Sequence, residues 1–289
     1  MSPAGQPRGT LFIVGTPIGN LQDLTLRAVE TLKQVAVVAA EDTRRTRALL
    51  SHLGCSGKRV LAVDAHASGA RLEQLMAALE AGQDVALVTD AGMPSVSDPG
   101  SAALRLARER DIHVDVIPGP SAVTAAVALS GLVEGPFLFL AFLPRKGRKR
   151  RDALDRIAAC ADPVVLFEAP NRVAATLLEL AQQQPERAAC VCRELTKLHQ
   201  EARHGSLRDL SEATGLDRGE ITIVLGPAGD AEVPVADADL EPEIDSLLHD
   251  GHSVRDIAKM LSERTGRGRR ELFQLTLARR EASERQGEG

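Results

Sequence analysis

The chain predicts an α/β fold built from two α/β domains, with a small helical extension at its C-terminal end. Three observations carry that expectation. Short β-branched runs alternate with amphipathic helical patterns, the grammar of right-handed βαβ units around a mostly parallel sheet. The runs are continuously apolar rather than alternating, as strands buried on both faces are. Finally, 289 residues are long for one core and comfortable for two at about 150 residues each.

In the first half, strands are predicted at Leu11–Val14, Val35–Ala40, Val60–Val63, Val85–Thr89 and Val114–Ile117. Between them Leu24–Lys33, Thr43–Leu53, Ala70–Ala81 and Ser101–Arg110 repeat apolar residues at helical spacing. Gly54 and Gly82 stand where glycines end helices. The breaker-rich segment Gly131-Leu132-Val133-Glu134-Gly135-Pro136 opens a second group. Its strands are predicted at Phe137–Phe142, Val164–Phe167, Ala188–Cys192 and Glu220–Leu225, and its helices at Arg151–Ala159, Arg172–Gln182 and Leu207–Ala213. More antiparallel pairing is expected there. Beyond Gly226-Pro227, Ala228–Asp239 reads as an acidic tether, and Leu240–Arg280 as two or three short helices. In them Val254, Ile257, Ala258 and Leu261 fall at helical intervals, and Arg267–Arg270 adds positive charge. The expected organisation is a disordered start over 1–9, an N-terminal domain over 10–130 and a second over 136–227. A linker over 228–239 and a helical extension over 240–289 complete it.

Composition narrows function. The net charge of −5 argues against indiscriminate polyanion binding without excluding local basic patches. With no Trp or Tyr and six Phe, bases stacking on aromatic platforms are not expected. Cys190 and Cys192 share one strand face, and with Cys55 and Cys160 they offer no zinc-ligand spacing, so reduced structural thiols and no metal are expected. The first nine residues hold no apolar signal core, and no run approaches the roughly 20 residues that span a bilayer. A cytoplasmic protein without membrane attachment is the expectation.

The richest stretch is Leu87–Gly100, an apolar run that ends in Asp90 and then in small residues and prolines before a helix. Gly15-Thr16-Pro17-Ile18-Gly19-Asn20 and Pro118-Gly119-Pro120-Ser121-Ala122 repeat the arrangement. Open α/β sheets bind ligands at such strand exits, so one shared site is expected. By spacing alone, the Gly15–Asn20 loop followed by Glu41-Asp42 also resembles a dinucleotide fingerprint, but a third glycine is missing and Pro17 stiffens the turn. Asp42 or Thr43 caps the next helix, which does not explain Arg44, Arg45 and Arg47 crowded into its first turns. Guanidinium groups at a strand exit suit phosphate. The single-signed run Arg145-Lys146-Gly147-Arg148-Lys149-Arg150-Arg151 also follows a strand, and a nucleic-acid backbone is its natural partner. Glu168 to Arg172 and Arg193 to Lys197 are further charged exits.

These segments resemble the tetrapyrrole methylase superfamily, in particular its branch acting on ribosomal RNA. The match runs through Gly15–Arg27, Ala40–Leu50, Val88–Gly100, Ile117–Ala128, Phe142–Arg151, Leu166–Arg172, Arg193–Lys197 and Gly219–Pro227. The resemblance implies a homodimeric enzyme that uses S-adenosyl-L-methionine to methylate a cytidine ribose 2′-hydroxyl in the decoding region of 16S rRNA, within the small ribosomal subunit. It implies cofactor contacts from Pro17, Asp90, Gly92, Met93, Ser121, Ala122, Phe167 and Thr222, in a cleft between the two domains rather than along the first glycine loop. Macrocycle-methylating relatives carry Gly-Gly-Asp-Pro where this chain has Thr89-Asp90-Ala91-Gly92, a departure that favours the RNA branch. RNA is then expected on Arg44, Arg45 and Arg47 and on Arg145, Lys146, Arg148, Lys149 and Arg150. Asp42, Glu194 and Lys197 are candidates for the base or cation at the acceptor hydroxyl. Two other readings stay open: a methylase of a small corrinoid or tetrapyrrole, and a non-catalytic rRNA-binding assembly factor.

Overall fold

The computed structural model describes residues 7–63, 69–95, 100–228, 237–265 and 269–287. Met1–Ala228 and Gly229–Gly289 are separate compact units. Residues 1–6 of the expected N-terminal tail, Val96–Pro99 of the Leu87–Gly100 stretch, 229–236 of the linker and Arg267 lie outside the described residues.

In the first half of the larger unit, β1 (Leu11–Val14), α1 (Leu26–Gln34), β2 (Val37–Ala40), α2 (Thr43–His52), β3 (Arg59–Ala62), α3 (Gly69–Glu80), β4 (Val85–Val88), α4 (Ser101–Glu109) and β5 (Val114–Ile117) alternate. The strands form one parallel sheet in the order β3-β2-β4-β1-β5. Both faces are covered. Val14, Val38 and Val88 pack with Ala28, Leu32 and Leu50 of α1 and α2, while Leu11, Val37 and Leu87 pack with Leu75, Leu79 and Ala103 of α3 and α4. The chain leaves β1 over β4 towards β2 and leaves β4 over β1 towards β5, so the crossovers of two adjacent strands run to opposite faces. A crevice opens at the carboxyl ends of such a pair.

After α5 (Ala122–Ser130) come β6 (Leu138–Phe142), α6 (Arg148–Ala158), β7 (Val164–Glu168), α7 (Val173–Gln183), β8 (Ala188–Arg193), β9 (Glu201–Ser206), α8 (Leu207–Glu212) and β10 (Ile221–Leu225). The second sheet runs β6-β7-β10-β8-β9, parallel only at β6–β7 and antiparallel elsewhere. Val164, Leu166 and Ile223 face the core with α6, α7 and α8; Val165, Cys190, Cys192 and Val224 face α5 and Ile18. Sequence patterning does not reveal β9, whose Glu-Ala-Arg-His-Gly-Ser lacks apolar alternation because it is an edge strand paired only with β8. It also does not reveal α5, whose small apolar residues leave no polar face to set a period.

The smaller unit holds α9 (Asp237–His249), α10 (Val254–Thr265) and α11 (Arg269–Gly287), packed through Leu240, Ile244, Ile257, Leu261 and Leu272. No described helix is long and apolar enough to cross a membrane.

Candidate active site

Four strand exits of the first sheet converge, and short contacts fix them to one another. Thr16 and Gly92 exchange backbone hydrogen bonds at 2.9 and 3.1 Å, and the Thr16 hydroxyl donates to the Thr89 carbonyl at 3.0 Å. The loops after β1 and β5 cross backbone to backbone. A Cβ on Gly15 would lie 2.6 Å from the Gly119 Cα and 2.7 Å from the Met93 sulfur, so no side chain fits there.

Between these exits and the second sheet lies a cleft of about 440 Å³. Asp90, Gly92, Met93, Ser121, Ala122, Phe167 and Thr222 line it, together with Ile18, Glu41, Phe142 and Glu220. Pro17 does not; it lines an adjoining cleft of about 480 Å³ with Gly19, Thr46, Leu49 and Lys197. The two clefts share Ile18, Arg45, Asp90, Ala91 and Glu220 as a common wall.

That wall is electrically organised. One Asp90 oxygen accepts the Asp42 backbone N–H at 3.1 Å, and the other lies 3.4 Å from the Arg45 guanidinium. The Asp90 backbone N–H in turn donates to Glu41 at 3.3 Å. Partial burial, together with the negative charge of Asp90, pushes the Glu41 carboxyl above its ordinary pKa, against the hydrogen bond from the Asp90 amide. Neighbouring Asp42 behaves oppositely. Its carboxylate caps α2 by accepting from the Arg44 N–H at 2.8 Å and pairs with the Arg44 side chain at 3.2 Å, which holds its pKa down. Sequence patterning does not single out Glu41 from Asp42, yet capping separates them: the residue just before a helix turns back to cap it, and the one before that lies outside the cap.

Across the cleft, Lys197 donates to Glu194 at 2.9 Å and lies 3.1 Å from Glu220. Burial works to lower the Lys197 pKa, but the hydrogen bonds it donates to the two carboxylates outweigh it and the net direction is up. Glu194 is held low, by Lys197 first and by the Glu220 backbone N–H second. Gly219, at φ +81°, makes room for this arrangement, since a Cβ there would lie 2.6 Å from the Glu194 side chain.

Of the basic side chains, Arg44, Arg45 and Arg47 project from the first turns of α2, and Arg145, Lys146, Arg148 and Lys149 are exposed around the start of α6. Arg150 is a correction. It points inward, donating to Glu179 at 2.8 Å, to Thr176 at 2.9 Å and to the Pro144 carbonyl at 3.2 Å, and cannot reach phosphate. Its inward turn follows from helical spacing with Leu154 and Ile157, all three buried. Glu168, wholly buried, anchors the same network by accepting from Arg172 at 3.0 Å and from Thr176 at 2.6 Å. Cys190 and Cys192 are buried side by side with sulfurs 3.7 Å apart.

A parallel sheet, a second mixed sheet and a ligand-sized cleft between them define a class of enzyme. Residues 10–211 match the tetrapyrrole (corrin/porphyrin) methylases, and the chain belongs to that family. Among its relatives, proteins named ribosomal RNA small subunit methyltransferase I from Synechocystis and from Mesorhizobium japonicum are each 40% identical. The alignments span 93% and 99% of this chain and 98% and 97% of those proteins. A third so named, from Thermotoga maritima, is 42% identical, matching 98% of its own length to 75% of this chain. Among solved structures, a diphthine synthase superposes with a TM-score of 0.59 at 18% identity over 75% of this chain and 90% of its own. A uroporphyrin-III C-methyltransferase from Thermus thermophilus, complexed with S-adenosylhomocysteine, superposes at 0.55 and 19%, over 75% of this chain and 97% of its own.

Proposed function

We propose that this protein transfers a methyl group from S-adenosyl-L-methionine to small-subunit ribosomal RNA, at the 2′-hydroxyl of a cytidine in the decoding region. The observation that carries the reading is the shared wall of the two clefts, on which Arg45 meets Asp90, with Glu41 lining the more apolar cleft and Lys197 the adjoining one. About 440 Å³ lies in the range of small-molecule sites. Ile18, Met93, Val123 and Phe167 suit an aromatic base, and Asp90 suits a cationic group, so the residues present fit the donor. When bound, the donor supplies a methyl group on a positively charged sulfur, already activated for transfer.

What remains for the protein is alignment and proton management. Glu41, raised in pKa, is the carboxylate best matched to take the proton from the ribose hydroxyl. Lys197, held protonated in the adjoining cleft, stabilises the negative charge that develops on the acceptor oxygen. In this reading Glu194 positions Lys197 rather than acting as a base, and Asp42 fixes the start of α2. Arg44, Arg45, Arg47 and the exposed residues around the start of α6 hold the RNA backbone. The dimer that the resemblance implies would cover apolar surface such as Leu198, whose side chain is almost fully exposed. The reading places the enzyme with the ribosome in the cytoplasm.

The test is methyl transfer from labelled S-adenosylmethionine to 30S subunits or their extracted RNA, followed by mapping of the modified nucleotide. Label on a cytidine ribose is the expected result. Transfer to a corrinoid precursor but never to RNA, or donor binding without any transfer, contradicts the proposal.

A further inference from the structure

Phe142 is the most exposed phenylalanine of the chain, 57% accessible, yet it lines the cleft. Its position depends on a bulge. In the β6–β7 ladder Phe139 pairs with Val165 and Phe142 with Phe167, three steps on one strand against two on the other. Side chains alternate along a strand, so without the extra residue Phe142 would point to the opposite face from Phe139. With it, Phe142 shares a face with Phe139 and Phe167. The cost is local: Ala141 takes φ +54°, a left-handed conformation unfavourable for a residue with a Cβ. Bulges that re-aim a side chain are found beside active sites.

The ring is held from behind. Arg172 donates to the Leu143 carbonyl at 2.7 Å and Arg150 to the Pro144 carbonyl at 3.2 Å, clamping the two residues that follow. Both arginines belong to the network around buried Glu168. Phe139 packs edge-on to Phe167 with centroids 5.2 Å apart, and Phe142 tilts against the same ring at 5.5 Å, leaving the rest of its surface open. Arg145 and Lys146, both exposed, follow within four residues. An exposed aromatic ring beside a run of cations is the composition of a single-stranded nucleic-acid site, in which the ring takes a base and the cations take its phosphates.

Resting on the RNA-methylation reading, we propose that Phe142 is a stacking platform for an unpaired base of the acceptor RNA at the mouth of the cleft. The aromatic poverty of the chain does not exclude base stacking, because one placed ring suffices.

The experiment compares the full-length protein with Phe142→Leu, Phe142→Trp and Phe142→Ala. Each is measured for KM and kcat on 30S subunits, for affinity towards S-adenosylhomocysteine by calorimetry, and for melting temperature. Base–aromatic stacking corresponds to about a 5- to 100-fold change in affinity. Phe142→Leu and Phe142→Ala are therefore expected to raise KM for 30S subunits by about that factor, with S-adenosylhomocysteine affinity within about twofold and melting unchanged. Phe142→Trp is expected to retain the parental KM. An unchanged KM in Phe142→Leu and Phe142→Ala overturns the proposal, as does weakened S-adenosylhomocysteine binding with unchanged KM, which would make the ring part of the donor site. If the parental protein transfers no methyl group to RNA, the RNA reading itself fails and the stacking role falls with it. Transfer by the parent with an unchanged Phe142→Leu overturns the stacking role alone.

Discussion

The Arg45 guanidinium lies 3.4 Å from the Asp90 carboxylate on the wall common to both clefts. Arg45 is mostly exposed, so the pair itself stabilises the fold by at most about 1 kcal/mol. On the proposed reading its consequence is functional. Asp90→Asn is expected to weaken S-adenosylmethionine binding by about 10- to 100-fold, the scale of a hydrogen bond or ion pair to a charged group. Arg45→Ala is expected to raise KM for RNA while leaving donor affinity nearly unchanged. Calorimetry and steady-state kinetics on the two variants separate the sides of the wall.

Protonation of Glu41 removes the proposed base. Because burial raises its pKa, kcat/KM is expected to fall as pH drops through a value above the ordinary glutamate range, with rate present above that value and lost below it. Glu41→Gln should flatten this limb and slow transfer by roughly 10²- to 10⁴-fold, whereas Asp42→Asn should preserve it. A pH–rate profile of the three proteins checks the assignment.

The network around Glu168 is structural, and unfolding experiments should show it. Glu168→Gln leaves the Arg172 charge without its buried counter-ion and is expected to cost on the order of 3–5 kcal/mol. Arg148→Ala, at an exposed position, is expected to stay within about 0.5 kcal/mol of the parent. Urea titrations measure both.

On the proposed reading, Arg148 and Lys149 act on RNA by charge alone. Their joint replacement by alanine is expected to weaken RNA binding at low salt and to make its log–log salt dependence shallower by about 1.4–1.8, the contribution of two phosphate contacts. Binding isotherms at several salt concentrations supply the slope.

Crossing of the β1 and β5 loops should tolerate no added atoms. Gly15→Ala and Gly119→Ala are each expected to destabilise by about 1–3 kcal/mol through backbone overlap, and to lower donor affinity as the loops part. Gly135→Ala, where nothing lies within 4 Å of the added carbon, is the matched control.

Much of this was legible in the chain, and the misses have physical reasons. The strands Leu11–Val14 and Val114–Ile117 stand where patterning put them, because apolar runs bounded by glycine, proline and charge admit few alternatives. The strand exits at Gly15, Asp90 and Ser121 read as one site for the same reason: parallel topology brings carboxyl ends together. Edge strand β9 had no buried face to advertise. The bulge at Ala141 is a property of pairing with β7, and pairing is invisible in one strand alone. Arg150 resembles its basic neighbours in composition, and only helical phase, shared with Leu154 and Ile157, marks it as buried.

The most direct test is a crystal structure of the protein with S-adenosylhomocysteine. The account predicts the ligand in the cleft lined by Asp90, Ser121, Phe167 and Thr222, with the adjoining Lys197 side left open for a ribose. A ligand lying instead along the Gly15–Asn20 loop, or a cleft closed by packed side chains, would contradict it.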